Sequence, residues 1–301
     1  MEHASGVFHP SLRYTDSRHP AHSEKTLKRR NFLASSALAL PSLAAAHGLT
    51  QAAGGPGAVP AVFKPGVFEW RTYRLHQGAQ GGRLDKWFAT QALPLYAKHG
   101  FAPMAFFGES IGPYTPSLLQ VIPYANLGER ERLWAALEAD PAYQAALDTL
   151  EMPAVTGSYP EPPYDDLEVR FLEALPIQPV WQPAPAGQTP HKIYEVRLYQ
   201  SPTERQARFV RERFESGEVA VFQRSGFDPV VYGRALAGPS MPNLTYLIPF
   251  ENMAQRDDAW GKFGKDPAWG PLLQESTRKG GDVIRQISNM ILTPKGYSVL
   301  R

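Results

Sequence analysis

The chain has 301 residues, 43% of them hydrophobic and 20% charged, which is enough for one large core or two small ones. Cysteine is absent, which excludes disulfides, thiolate nucleophiles, Cys-ligated metals and a lipid anchor on cysteine. The first 46 residues account for the net charge of +2. The rest carries 25 basic and 26 acidic side chains, a net of −1, and lacks the electrostatic footprint of a nucleic-acid binder.

In chain order, the first feature is an export leader. Lys28-Arg29-Arg30-Asn31-Phe32-Leu33 resembles the bacterial twin-arginine motif, with Arg29, Arg30, Phe32 and Leu33 as its signature. An apolar run from Phe32 to Ala46 follows, too short for a comfortable membrane span. Ala44-Ala45-Ala46 is a small-x-small cleavage pattern, so cleavage is expected after Ala46. The expected route is the twin-arginine machinery, and the expected location is the periplasm or outside the cell. Residues 47–66, rich in Gly, Pro and Ala, are expected to be a disordered linker. Nothing after the leader approaches 18 consecutive apolar residues, so no span is predicted in the mature chain.

From Val67 onward the sequence repeats itself at an offset of 126. Glu69, Arg71 and Tyr73 fall on Glu195, Arg197 and Tyr199; Gly100-Phe101 falls on Gly226-Phe227; Asn126, Arg130 and Trp134 fall on Asn252, Arg256 and Trp260. No gap is needed from the first strand to Asp140-Pro141 and Asp266-Pro267, so this is a duplication. Val67 to Leu75 and Ile193 to Tyr199 alternate as strands. A helix follows with an apolar line at Leu84, Phe88, Ala92, Leu95 and His99, and Pro94 predicts a kink or restart in it. Met104 to Ile111 and Leu118 to Tyr124 read as a hairpin. Asn126-x-x-Glu129 and Asn252-x-x-Gln255 are capping boxes that open a second helix. Asp140-Pro141 and Asp266-Pro267 start a short further helix. Val169 to Leu175 and Ile284 to Leu292 supply the last strands.

This order predicts an α+β chain of two tandem ferredoxin-like βαββαβ repeats, residues 67–176 and 191–301, joined by a Pro-rich linker over 177–190. Each sheet has one open face. The two are expected to pack sheet to sheet as a pseudo-dimeric α/β barrel.

Phe68-Glu69-Trp70-Arg71-Thr72-Tyr73 and Tyr194-Glu195-Val196-Arg197-Leu198-Tyr199 resemble strand openings of the NIPSNAP family. So do the segments from Leu93 to Phe101 and from Ile122-Pro123-Tyr124 to Asp140-Pro141. The resemblance runs from Val67 to the C-terminus. It implies the dimeric α/β-barrel superfamily, which includes cofactor-free monooxygenases, haem-binding proteins and small-ring isomerases. It offers no catalytic motif to transfer, and fold alone does not assign chemistry.

The Glu-x-Arg-x-Tyr strands carry the main site candidates. Alternation is expected to turn Phe68, Trp70 and Thr72 towards the helices, and Glu69, Arg71 and Tyr73 into the barrel, with Glu195, Arg197 and Tyr199 equivalent. Such a charged row needs partners. One reading is an ion-pair network that fixes register and seals the barrel. The other is a pocket in which arginine holds an oxygen and tyrosine donates a hydrogen bond. His99 joins the candidates because the second copy has Ser225 there, and Trp87 against Arg213 is a second departure near the same helix. Both point to the first copy. Among the histidines after the cleavage position, His47, His76, His99 and His191, no two have metal-ligand spacing; no nucleophile elbow is present, and Gly78, Gly81 and Gly82 lack dinucleotide order. No metal or cofactor is therefore expected and no catalytic residue is assigned, although His99 or His76 would be the axial candidate were haem to bind. The expected function is binding of a small, partly apolar ligand in the barrel cleft. The alternatives are the cofactor-free oxygenase or isomerase that the resemblance implies, and a structural module that self-associates into homo-oligomers.

Overall fold

The computed structural model describes residues 63–151, 162–182 and 192–300. The leader, its cleavage position at Ala46 and most of the 47–66 linker lie outside these residues. In the first repeat the order is β1 (Val67–Arg74), α1 (Gln80–Trp87), α2 (Leu93–Lys98), β2 (Ala105–Ile111), β3 (Ser117–Tyr124), α3 (Leu127–Glu138), α4 (Pro141–Glu151) and β4 (Asp166–Ala174). The second repeats it as β5 (Ile193–Gln200), α5 (Glu204–Arg213), α6 (Val219–Ser225), β6 (Val231–Ala237), β7 (Asn243–Phe250), α7 (Met253–Lys265), α8 (Trp269–Gly280) and β8 (Gln286–Pro294).

Local chemistry sets the ends of these elements. Asn126 accepts from Glu129 N at 2.9 Å, and Asn252 from Gln255 N at 2.9 Å, so both predicted caps close on an otherwise orphan donor. The Glu129 carboxylate reaches back to Ala125 N at 2.6 Å. Gly100 and Gly226 end α2 and α6 at φ of +83° and +90°, a left-handed backbone that favours glycine and accounts for the repeated Gly-Phe. The break expected at Pro94 is a π turn over Phe88–Ala92, just before α2. An equivalent π turn, Phe214–Glu218, precedes α6, where Ala220 stands in place of the proline. The turn therefore belongs to the repeat rather than to the proline. Its extra residue shifts the helical phase, so Tyr96 is buried and Leu95 only half-buried.

The strands close into one antiparallel barrel in the order β1-β3-β2-β8-β5-β7-β6-β4. The seams between repeats are β2 against β8 and β4 against β6. The chain that leaves each fourth strand crosses to the other repeat. Leu175 N donates to Tyr232 O at 3.0 Å, and Leu175 and Ile177 pack in the helical core of the second repeat. In return, Lys295 N donates to Phe106 O at 2.9 Å, and the Tyr297 ring lies 5.1 Å from Phe106 in the first. Two segments expected to be linker are thus ordered in part, because Phe63 and Trp181 exchange backbone hydrogen bonds and Trp181 is buried.

The described residues build three cores: one between each sheet half and its helices, and one inside the barrel. The barrel core unites Phe68, Trp70, Phe107, Leu119, Val121 and Leu172 with Tyr194, Val196, Val231, Leu247 and Leu292. This corrects the expected facing. Phe68 and Trp70 point into the barrel, whereas Tyr73 packs in the core under the first repeat's helices. Alternation fixes which residues share a face but not which face is inner. The bulky apolar set fills most of the lumen beside a few polar groups such as Thr72, Arg170 and Thr245, and Glu69, Arg71 and Tyr73 turn to helices that carry partners for them.

Candidate functional site

On the outer face of β1, Glu69 is fully buried and accepts from three donors. Arg71 Nη1 lies 2.7 Å away, Arg130 Nε of α3 3.0 Å and the Tyr124 hydroxyl 3.1 Å. Tyr124 in turn accepts from Trp134 Nε1 at 2.7 Å. The repeat is close but not identical. Glu195 accepts from Arg256 Nε at 2.9 Å, Arg256 Nη2 at 2.8 Å and Arg197 Nη1 at 3.3 Å. Phe250 replaces Tyr124, and Trp260 Nε1 donates directly to Glu195 at 2.8 Å. The Glu-x-Arg-x-Tyr rows therefore do form an ion-pair network, one that pins β1 to α3 and β5 to α7. They do not seal the barrel. A buried carboxylate is tolerable because each oxygen is paired.

Arg71 then turns along Trp134, its guanidinium carbon 4.9 Å from the indole centroid, and its Nε donates to the Tyr73 hydroxyl at 3.1 Å. The Tyr73 hydroxyl in turn donates to Gln120 Oε1 at 3.1 Å. Above this pair lies a cavity of about 380 Å³, walled by Leu84 and Trp87 of α1, Tyr96 of α2, Trp134 of α3, and Tyr143, Leu147 and Leu150 of α4. Tyr164 closes one side, its ring 5.2 Å from that of Tyr73, and Glu138, Gln144 and Glu151 stand exposed at the rim. Burial pushes the Tyr73 phenol up and the Tyr96 phenol well up, and raises Tyr143 to about 12. All three stay protonated near neutral pH.

The equivalent space in the second repeat is occupied. Arg213, aligned with Trp87, donates from Nε to Glu218 Oε2 at 2.7 Å and from Nη1 to Ser276 Oγ at 3.2 Å. Glu218 aligns with Ala92 and is fully buried; burial pushes its carboxyl up, and the Arg213 and Arg197 guanidiniums act in the opposite direction. A groove of about 380 Å³ opens on the far side of Arg213, between α5 and α8. Neither Arg197 nor Tyr199 lines it, and its walls are mostly charged side chains of the helix surfaces.

Among the described residues, the space found inside the barrel is not of ligand size. The space among Trp70, Thr72, Tyr114, Arg170, Val196, Thr245 and Met290 is about 20 Å³, room for about one water molecule. The expected cleft inside the barrel is thus corrected to a cavity outside it, under the helices. Of the candidate residues, Arg71 and Tyr73 line that cavity and Glu69 holds Arg71 from below. Glu195, Arg197 and Tyr199 form the matching network without it. His99 stands apart: its Nε2 pairs with Asp140 at 2.8 Å, at the start of α4. Lys98, His99 and Ala142 N together hold the Asp140 carboxyl well below the usual range. His76 pairs with Asp165 at 2.9 Å on the surface. Among the described residues, no group of three His, Asp or Glu is placed to hold a metal ion, and no helix is long and apolar enough to cross a membrane. Sequence reasoning passed over Tyr96, Tyr143, Tyr164 and Leu150. Tyr143, Leu147 and Leu150 do show an i, i+4, i+7 stripe, but such a stripe reads equally as packing.

The NIPSNAP family pattern matches residues 68–155 and 194–299, one match per repeat. The chain belongs to the NIPSNAP family. No curated protein matches it in sequence. Among solved structures, a protein of Fusobacterium nucleatum provisionally named a monooxygenase is similar over 76% of this chain and 91% of its own, with 6% identity and a TM-score of 0.47. A NIPSNAP-like domain protein from Burkholderia xenovorans is 23% identical over 36% of this chain and 90% of its own, with a TM-score of 0.32. A NIPSNAP family protein of unknown function from Agrobacterium tumefaciens is 20% identical over 38% of this chain and 97% of its own, with a TM-score of 0.34.

Proposed function

We propose that this NIPSNAP protein binds a small, partly apolar molecule in the first-repeat cavity, and that the second repeat serves as frame. One observation carries the reading. Trp87 and Ala92 leave about 380 Å³ open over Arg71 and Tyr73, whereas Arg213 and Glu218 fill the aligned space with a buried ion pair. The size suits a small ligand, and the lining follows the usual plan of aromatic walls with a few convergent polar groups. The test is to install the second repeat's filling in the first, as Trp87→Arg with Ala92→Glu. Binding of a panel of small aromatic compounds, followed by calorimetry, should weaken at least about tenfold. Circular dichroism should remain that of the folded chain. Unchanged binding by the folded double variant would sink the assignment.

We further propose that the chain is exported by the twin-arginine route on Arg29 and Arg30, with cleavage after Ala46. Arg29→Lys with Arg30→Lys should leave uncleaved chain in the cytoplasm. Cleaved protein recovered outside would refute the route.

A further inference from the structure

Buried charge around the cavity floor bears on what the ligand presents. Arg71 spends Nη1 on Glu69 and Nε on Tyr73, and its Nη2 has no hydrogen-bond partner among the described residues. The nearby acceptors are already engaged. Glu69 also takes Arg130 and Tyr124, and the Tyr73 hydroxyl is held between Arg71 and Gln120. Arginine does not shed its proton in proteins, so this edge remains a cationic donor that faces the cavity on a half-buried side chain. The surrounding phenols are neutral and supply no balancing charge. Glu138 and Glu151 stand exposed at the rim, and neither is paired with Arg71 among the described residues.

Resting on the cavity reading above, we infer that the ligand is a small aromatic monocarboxylate, its carboxylate on Arg71 Nη2 and its ring among Trp87, Tyr96 and Trp134. A guanidinium matches a carboxylate in both charge and plane, and the aromatic walls match a flat ring. The rim glutamates lie where the far end of such a molecule would emerge, and they disfavour a second negative charge there.

The test uses the full-length protein and acids paired with their amides: benzoate with benzamide, and cinnamate with cinnamamide, with terephthalate as the dianion. Calorimetry at neutral pH should show each acid binding at least about tenfold more tightly than its amide, the usual advantage of a charge-assisted contact. Arg71→Gln should abolish that preference, and Arg197→Gln, in the filled repeat, should leave it intact. Terephthalate should bind more weakly than benzoate. An amide that binds as well as its acid would overturn the carboxylate assignment and leave the cavity reading standing. Absence of binding by either member of both pairs would overturn the cavity reading and this inference together. Terephthalate binding equal to that of benzoate would overturn the part given to the rim. Should Arg71→Gln fail to fold, the acid-to-amide ratio in the unaltered protein decides alone.

Discussion

The two repeats keep the same buried network and spend the space beside it differently. In both, a fully buried glutamate on the first strand binds two arginines and fixes strand to helix. In one, an indole and a methyl group leave a cavity beside that network. In the other, an arginine and a glutamate close it. A duplicated chain can thus hold its fold with the features the copies share and place a site with those they do not. The glutamate rows are architecture in both halves, and the first half adds a cavity that reaches its row, at Arg71 and Tyr73.

The comparison can be strained at several points. The largest effect is expected at the shared carboxylates. Glu69→Ala and Glu195→Ala each leave a half-buried arginine, Arg71 or Arg197, without its carboxylate and Arg130 or Arg256 with only an exposed neighbour, and each should cost about 3 kcal/mol in denaturant titrations. A large loss in one repeat and a negligible loss in the other would end the claim that the networks are equivalent. A smaller effect is expected where the networks diverge. Tyr124→Phe gives the first repeat the phenylalanine of the second, and Trp134 can then turn to Glu69 as Trp260 does to Glu195. The expected loss is about 1 kcal/mol, one hydrogen bond exchanged for a shorter route. A loss several times larger would mean that the Tyr124 relay has no substitute.

The smallest effect concerns the aspartates before α4 and α8. Asp140, beside Lys98 and His99, and Asp266, beside Arg224, are both held below the ordinary carboxylate value. Each therefore contributes stability that is present above about pH 4, the unfolded value, and is lost as pH falls through the folded one. Asp140→Asn and Asp266→Asn should each flatten the acid limb of a stability-versus-pH curve, Asp140→Asn more so. An unaltered limb would show that these caps are not coupled to folding.

Much of the architecture was legible because it depends on local periodicity and on repetition. The strands, the capping boxes at Asn126 and Asn252, and the duplication need only neighbours in sequence. So did the hint from Trp87 against Arg213, which proved to be the position where the repeats diverge. The site was legible only in part. Arg71 and Tyr73 were singled out, but for the wrong side of the sheet. His99 was singled out for its departure from the repeat, and it is engaged with Asp140. Tyr164 gave no signal, because it comes beside Tyr73 only when β4 pairs with β1.

The sequence by itself determined that there are two βαββαβ units, where the capped helices begin, and which residues share a face. Those are consequences of backbone geometry and hydrogen-bond capping over a few residues. The tertiary structure alone decided which face is inner, how the fourth strands and their trailing segments lock one repeat onto the other, and that the cavity lies under the helices of the first. These depend on partners more than fifty residues apart, such as Arg130 for Glu69 and Glu168 for Arg74, and on whether two side chains fill a volume or leave it open. Alternation carries no information about either.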